Sequence, residues 1–441
     1  ASSTAVLPRA ASHKVHLRRS LDNRSKPILP MFGRGPGCSC LGGCWRAFVR
    51  RRRSRRFLSS DELDRRCFTP ASPISSPLFA DVSSIASPQC ASGMPAAIGS
   101  PKVLKSDATA YLTAGEEYEE RLTSLSLKRK AIPGEDDPVV VGLVARLQKA
   151  GTWGKWRIPR DVRVELEAEF KMDTSTLLQK LTILAQMCAA PVISAFHVGA
   201  VALGTSGDVY FGPNVEVSSG VYARNPCLRH TIHAEQAAVL TMLSHGERGL
   251  QALYISHVPC GVCRQFLCEL KAHEDLDVWT PQLGAATKLG RLLPFSFGPE
   301  ELGKTAALLS ASEPNPIALA KNSEARLVDP ALAEAAEQAA QRAYAPYTSS
   351  YAGVALRLAS GQLCCGHSVE SAAFNPTVSP MQMALISLLA RGGKVRDIEQ
   401  ACFAEDPCAV THFKTSDTAL LTAVAPHAEL WFMPLITSAR I

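Results

Sequence analysis

His233-Ala-Glu235-Gln236-Ala-Ala-Val-Leu240, followed by Pro259-Cys260-Gly-Val-Cys263-Arg264-Gln265-Phe266, is the pair of segments around which this 441-residue chain is organised. His233, Cys260 and Cys263 are residue types that hold zinc well. Three protein ligands leave the fourth tetrahedral position to water, as in catalytic rather than structural sites. Zinc brings the pKa of such a water down to about 7. Glu235 lies two residues from His233, close enough to hydrogen-bond that water without binding the metal. A carboxylate there can take the water's proton and deliver it to a leaving group. Two other readings stand beside this one. A structural zinc needs a fourth protein ligand, for which Cys227 and His230 are the nearest candidates, and a lone Cys-x-x-Cys also serves as a redox pair.

Local patterning places the site. His233 to Leu243 reads as a helix with Ala237, Leu240 and Leu243 at helical spacing. Cys260 to Leu270 reads as a second helix, with Val262, Phe266 and Leu270 on one stripe. Both ligand groups then open helices, whose N-termini favour negative charge and suit cysteines as thiolates. Strand-type segments precede each helix: Val209 to Phe211 with Asn214 to Val217, and Ala252 to Ser256. The site therefore sits where strands deliver the chain into helices, as is common in α/β sheets.

Charge and composition bound the rest. Length allows two or three domains, and 46% hydrophobic residues can build a sizeable core. No apolar run approaches the roughly 18 residues of a membrane-spanning helix. Most of the 14 cysteines are scattered singly, the usage of a reducing compartment rather than a disulfide framework. The formal charge of +7 is unevenly spread: residues 1–60 hold 14 Lys/Arg and one acid, Asp22, for +13. The remainder is 33 basic against 39 acidic residues, or −6. A mildly acidic body offers no groove for a phosphate backbone, so no nucleic-acid partner is expected for it.

Residues 1–136 are rich in Ser, Pro, Gly, Ala and Arg, lack periodicity, and are expected to be a disordered basic extension. The first Met is Met31, and Arg50-Arg-Arg-Arg53-Ser-Arg-Arg56 follows with no acid before Asp61. An Arg- and Ser-rich, acid-poor segment reads as an organellar transit peptide, a solvated tail, or an anionic-surface contact. The protein is thus expected in the cytoplasm or in a plastid or mitochondrion. Cys38, Cys40 and Cys44 have no His partner and stay unassigned. Residues 137–190 read as a helical lead-in, with Asp173 a helix start. Phe196 to Leu203, a turn at Gly204 to Gly207, and Val209 to Phe211 read as a hairpin. Asn214 and Glu216 end it, either turning the chain or binding a polar substrate such as a ribose.

The ligand motif matches the pattern of zinc deaminases acting on bases. With Phe196-His-Val-Gly-Ala, Pro213-Asn-Val-Glu216, and Leu293-Pro-Phe-Ser-Phe-Gly-Pro299, the chain from about residue 140 onward resembles cytidine deaminase. More narrowly it resembles the two-module, homodimeric branch, whose first ligand is His where the short tetrameric branch has Cys. The resemblance implies a three-layer α/β/α fold with a mixed sheet, one zinc per chain, and Glu235 as proton shuttle. It implies that Phe196 packs on the pyrimidine, although an ordinary core aromatic is the alternative at that position. Asn214 and Glu216 would hydrogen-bond the ribose, backbone near Ala234 would meet the base carbonyl, and Phe297 would reach toward a partner subunit's site. Ser194-Ala195 and Val217-Ser218 depart from the family pattern around the nucleoside.

An internal repeat points independently to two modules. Gly199, Ser206, Gly207, Gly212, Val215 and Glu216 return 154 positions later as Gly353, Ser360, Gly361, Gly366, Val369 and Glu370. Gln236 and Gly246 return 146 positions later as Gln382 and Gly392. In that register His233 and Glu235 become Ser379 and Met381; near the Cys-x-x-Cys counterpart, 148 positions on, Pro407-Cys408 survives but Cys263 becomes Thr411. Residues 191–308 are therefore expected to form the catalytic module and 309–441 an inert copy, connected through residues 309–330. The expected reaction is hydrolytic deamination of cytidine and deoxycytidine by a homodimer that needs no membrane. A polynucleotide-editing deaminase and a non-catalytic subunit of an organellar assembly are the rival readings.

Overall fold

The computed structural model describes residues 131–217, 227–320 and 328–437. The basic extension, with its targeting reading and Cys38, Cys40 and Cys44, lies outside the described residues. Ile132 is already buried, so the folded body starts ahead of the expected boundary at residue 137. Helix α1 (Pro138–Lys149) is capped by Asp137, which accepts from Val139 N at 2.8 Å and pairs with Lys180 at 2.6 Å. The two-residue strand β1 (Arg157–Ile158) interrupts the lead-in before α2 (Arg160–Phe170) and α3 (Thr174–Met187). Asp173 starts α3 by accepting from Thr176 N at 2.7 Å.

The first sheet follows. Strand β2 (Gly199–Gly204) turns through Gly207, at φ 87°, into β3 (Val209–Pro213). Then come α4 (Ala234–Ser244), β4 (Leu250–Ile255), α5 (Gly261–Leu267), β5 (Asp277–Trp279), β6 (Thr287–Lys288) and α6 (Leu289–Leu292). The strand order is β1-β3-β2-β4-β5-β6, antiparallel throughout except β4 with β5. Helix α3, expected in the lead-in, instead covers this sheet directly. A Cβ on Gly199 would stand 2.3 Å from Gln186 N in α3, and one on Gly212 would stand 2.2 Å from Ala238 N in α4. Gly212 is level with Ala200, the residue after Gly199, so the two helices cover opposite faces of the sheet. Glycine is required at both positions because the helices lie against the bare backbone.

The second sheet repeats this plan. Strand β7 (Ile317–Leu319) precedes α7 (Pro330–Gln341), β8 (Ala352–Leu358), β9 (Leu363–His367), α8 (Pro380–Leu389), β10 (Ile398–Glu405), α9 (Lys414–Val424) and β11 (Glu429–Thr437). Its order is β7-β11-β10-β8-β9, with only β10 and β11 parallel. Thus β9-β8-β10-β11 reproduces β3-β2-β4-β5. Gly353 lies on Ala340 N of α7 as Gly199 lies on Gln186 N of α3, again 154 residues apart on both sides of the contact. One expectation is corrected here. The supposed connection 309–330 contains β7, which pairs with β11 and fills the edge place that β6 takes in the first sheet.

The two modules are clasped through α4 and α8. Gln236 Nε2 donates to Pro376 O, and Gln382 Nε2 donates to Arg229 O, both at 3.0 Å. These are equivalent glutamines making reciprocal bonds, the arrangement of a pseudo-two-fold contact. The buried Glu269 adds a third tie, accepting from Tyr344 OH at 2.9 Å, Tyr347 OH at 2.6 Å and Ala372 N at 2.7 Å. Enclosed between sheet and partner helix, α4 is buried on every face from Ala234 to Met242. The helix read from His233 to Leu243 is thus present, and it is enclosed on all sides rather than along Ala237 and Leu240 alone. Helix α5 ends at Leu267, short of Leu270, and its buried stripe is Cys263, Phe266 and Leu267, while Val262 is exposed.

Candidate active site

His233 is the N-cap of α4 and Cys260 the N-cap of α5, with Cys263 in the first turn of α5. The helix starts face one another. His233 Nδ1 lies 3.4 Å from Cys260 Sγ and 3.3 Å from Cys263 Sγ, and the two sulfurs are 3.6 Å apart. Zinc with nitrogen at about 2.0–2.1 Å and sulfur at about 2.3 Å needs tetrahedral ligands about 3.5–3.8 Å apart, and the three separations lie within about 0.2 Å of that range. The three atoms therefore fit a zinc ion. Among the described residues this is the one group of three or more His, Cys, Asp or Glu able to hold a metal. Neither candidate for a closing fourth ligand joins it: Cys227 is exposed, and His230 Nε2 contacts Ser416 Oγ at 3.0 Å.

The electrostatics agree with ligand chemistry. A hydrogen bond from the Cys263 thiol, opposed by burial and aided by His233, brings Cys260 down to about 3. Cys263 itself is held up by giving its proton to that contact, and by burial. Contact with Cys260 raises His233 against the opposing effect of burial. Glu235 is almost wholly enclosed, and burial pushes its carboxyl up, opposed by its place at the helix start and by Cys263. Ala234, the first residue of α4, carries one of the backbone N–H groups that a helix start leaves without an internal partner.

Around this centre the remaining predicted residues fall into two groups. Phe196 is 53% exposed, which excludes the core-aromatic reading, and its ring lies against His257 with centroids 4.7 Å apart. Phe297 is half-exposed and Phe295 fully exposed. Asn214 and Glu216 are buried and hold the chain. Asn214 Oδ1 accepts from Val198 N at 2.9 Å and Nδ2 donates to Phe196 O at 3.0 Å. These bonds use two of the four places on the amide. Glu216 accepts from Ile193 N at 2.7 Å, from Ser194 N at 2.8 Å, and from Ser194 Oγ. Of the two roles open to this pair, the structure displays the chain-holding one. Glu370 does the same in the second module, accepting from Tyr347 N at 3.0 Å, Thr348 N at 3.3 Å and Thr348 Oγ1.

Three residues shape the site without any expectation attached to them. Arg264 donates to Pro259 O at 2.8 Å and to Leu292 O at 2.7 Å, while Gln265 donates to Phe297 O. Together they hang the Leu293–Pro299 segment on the helix that carries the two cysteines. Their adjacency to Cys263 in the motif is the signal that finds them. His257 carries no comparable signal, because its contact is with a ring brought in from the segment before β2.

In the second module the equivalent place is filled differently. Ser379 caps α8 by accepting from Gln382 N at 3.3 Å, and Met381 is wholly buried. The expected match of Cys263 with Thr411 is corrected. Helix α9 starts only at Lys414, and its buried positions Asp417, Leu420 and Leu421 follow Cys263, Phe266 and Leu267 at an offset of 154. Asp417 Oδ2 accepts from Met381 N at 2.9 Å, and Ser379 lies within hydrogen-bonding reach. Cys408 and Thr411 lie in the exposed loop before α9.

Comparison with known proteins agrees with both modules. Two family models, each described as the cytidine and deoxycytidylate deaminase zinc-binding region, match residues 172–275 and 289–417. The cytidine deaminase of Shewanella pealeana is 36% identical over 278 residues, 63% of this chain and 87% of that protein. Those of Aeromonas hydrophila subsp. hydrophila and Proteus mirabilis are each 38% identical, covering 56% and 59% of this chain and 80% and 83% of their own lengths. With zinc-ligand geometry in one module and the same strand order in both, the chain belongs to the cytidine deaminase family of zinc-binding hydrolytic deaminases.

Proposed function

We propose that the chain deaminates free cytidine and deoxycytidine to uridine and deoxyuridine, as an enzyme of pyrimidine salvage. The observation that carries this is the meeting of two helix starts, where three ligand atoms stand beside the buried Glu235. His233, Cys260 and Cys263 would hold zinc, which would supply a water of lowered pKa at the reaction centre. Glu235 takes a proton from the attacking water and gives it to the pyrimidine ring nitrogen as oxygen adds to C4. It then takes the remaining proton from the new C4 hydroxyl and passes it to the amino nitrogen as the C4–N bond breaks, so ammonia leaves and the uracil carbonyl forms. Phe196 packs on the base, and the Ala234 N–H at the helix start meets its carbonyl oxygen. Asn214 and Glu216 meet the ribose, while the bonds they make to the chain keep the loop shaped.

The enzyme acts as a homodimer in this reading. Phe295 and Phe297 stand exposed on the segment hung from α5, and Phe297 packs beside the pocket of a second copy. The second module is inert. Among the described residues no helix is long and apolar enough to cross a membrane. Incubation with cytidine, deoxycytidine and single-stranded RNA, with ammonia and uracil formation measured separately, tests the substrate. Ammonia from the nucleosides alone is expected; release from RNA but not from cytidine would overturn the reading. Sedimentation of the active enzyme as a monomer would overturn the dimer.

A further inference from the structure

We infer that His257 is a positioning residue for the pyrimidine, fixing the ring of Phe196 at the mouth of the site; this rests on the proposed nucleoside function. Backbone contacts pin Phe196 on both sides. Phe196 N donates to Ser194 Oγ at 3.1 Å, and Asn214 Nδ2 donates to Phe196 O at 3.0 Å. Neither bond holds the ring, which is 53% exposed. The ring rests on His257, tilted by 56° at a centroid distance of 4.7 Å. That is within the range of favourable aromatic pairs. His257 is itself held: its Nδ1 contacts Ser256 Oγ at 3.0 Å, and that oxygen accepts from Gly199 N at 3.1 Å. A chain of contacts thus runs from the first residue of β2, across to the end of β4, and back to the aromatic that precedes β2. An exposed ring without such support would sample other rotamers and lose entropy on stacking with a base.

The second module supplies an independent argument. Strand register sets Val201 opposite Tyr254 and Ala355 opposite Cys402, so β4 corresponds to β10 at an offset of 148. At these offsets Phe196 becomes Ser350 and His257 becomes Glu405. Both rings are gone together. Ser350 Oγ now accepts from Thr411 N at 3.2 Å and Glu405 from Phe413 N at 2.9 Å, tying down the longer loop. Glu216, whose bonds hold the chain, persists as Glu370. What disappears with the zinc ligands is the ring pair, which places it with the site and not with the scaffold.

The test compares His257→Ala with His257→Phe in the zinc-loaded, full-length protein. Measurements are KM and kcat for cytidine, calorimetric Kd for uridine, zinc content and melting temperature. His257→Ala should raise both KM and Kd by about three- to tenfold, the worth of one aromatic pair. It should leave kcat within about twofold and zinc unchanged. His257→Phe, which keeps a ring, should return KM and Kd to within about twofold of the parent. Unchanged KM and Kd in His257→Ala would overturn the inference. So would a His257→Phe variant no better than His257→Ala, which also decides the matter if the alanine variant melts early. A parent that turns over cytidine and binds uridine while His257→Ala matches it overturns this inference alone. A parent that does neither overturns the proposed function as well.

Discussion

The two modules share a strand order, a helix on each face and glycines at the same close contacts, yet the helix starts that meet zinc chemistry in one meet none in the other. Where the first has His233, Glu235 and Cys263, the second has Ser379, Met381 and Asp417. Each replacement suits a helix start that holds no ion. Ser379 satisfies a backbone N–H that the imidazole does not. Met381 fills buried space with an apolar chain and removes the desolvation cost that a carboxylate there carries. Asp417 reaches the α8 start and accepts from Met381 N. A duplicated fold therefore separates the requirements of the scaffold from those of the reaction: glycines, cross-module glutamines and the loop-holding glutamates remain, and the reactive groups go.

The largest effect expected on this comparison is from Glu235→Gln. Gln is nearly isosteric and lies outside the ligand set, so zinc content and fold should survive. A single general acid/base group is worth about 10²–10⁴ in rate, and Glu235 serves several transfers, so kcat should fall at or beyond the top of that range. The mirror change Met381→Glu should create no second activity. A Glu235→Gln enzyme that keeps its zinc and turns over cytidine within about tenfold of the parent would show that the proton moves elsewhere.

Metal content sharpens the same contrast. Zinc should bind at one ion per chain, held by the three atoms of the first module. Cys263→Ser should lose it and destabilise the first module, since a closed pair of helix starts would be left with unmet ligands. Cys408→Ser should leave the zinc content unchanged, because Cys408 lies in an exposed loop and Asp417 stands where Cys263 does in the first module. Two zinc ions per chain by elemental analysis would refute an inert second module.

Much of this was legible in the sequence because backbone contact leaves no latitude. Gly199 and Gly353 lie against helix atoms about where a Cβ would be, so both copies kept glycine and the 154-residue period stood out. The zinc ligands were legible because their chemistry restricts residue type. The rest depended on tertiary partners. Strand β7 is three residues in a proline-rich connection, and only pairing with β11 makes it a strand. Helix α4 was read as a helix, but that both its faces are covered depends on the second module. Pro407-Cys408 looked like the counterpart of Pro259-Cys260, but the second module lengthens the loop before its helix, shifting the offset from 148 to 154. Loop length is free to change where no ion must be gripped.

A moderate effect should distinguish the glutamates that persist. Glu216→Gln and Glu370→Gln remove the charge from equivalent loop ties. Hydrogen bonds to a charged group contribute about 1.5–3 kcal/mol, so each variant should melt several degrees lower. Only Glu216→Gln should also raise KM for cytidine, by about tenfold, because the proposed function puts a nucleoside against its loop alone. Equal KM values in the two variants would mean that Glu216 is scaffold alone.

The smallest effect concerns Asp417, and its sign follows from burial. Burial pushes its carboxyl from the ordinary 3.8 up to about 7, opposed by Ser379 and the Met381 N–H and reinforced by the charge of Glu405. Between those two pH values the folded protein keeps a proton that the unfolded chain releases, so this residue's contribution to stability falls as pH rises through the window. Above it the folded state carries a buried carboxylate. Asn at this position would still accept from Met381 N but would not titrate, while its amide N–H groups would sit where Asp417 Oδ1 has no hydrogen-bond partner. Near pH 5, Asp417→Asn should therefore melt at or slightly below the parent. Near pH 8 the parent bears a charge penalty on the order of 1–3 kcal/mol, and the variant should melt higher by a few degrees. The difference between the two melting curves, taken from pH 5 to 8, isolates this one group from all others that titrate. A difference that stays constant across that range would mean that Asp417 is already ionised at pH 5, and that the helix start of α8 holds its negative charge as firmly as a metal ligand.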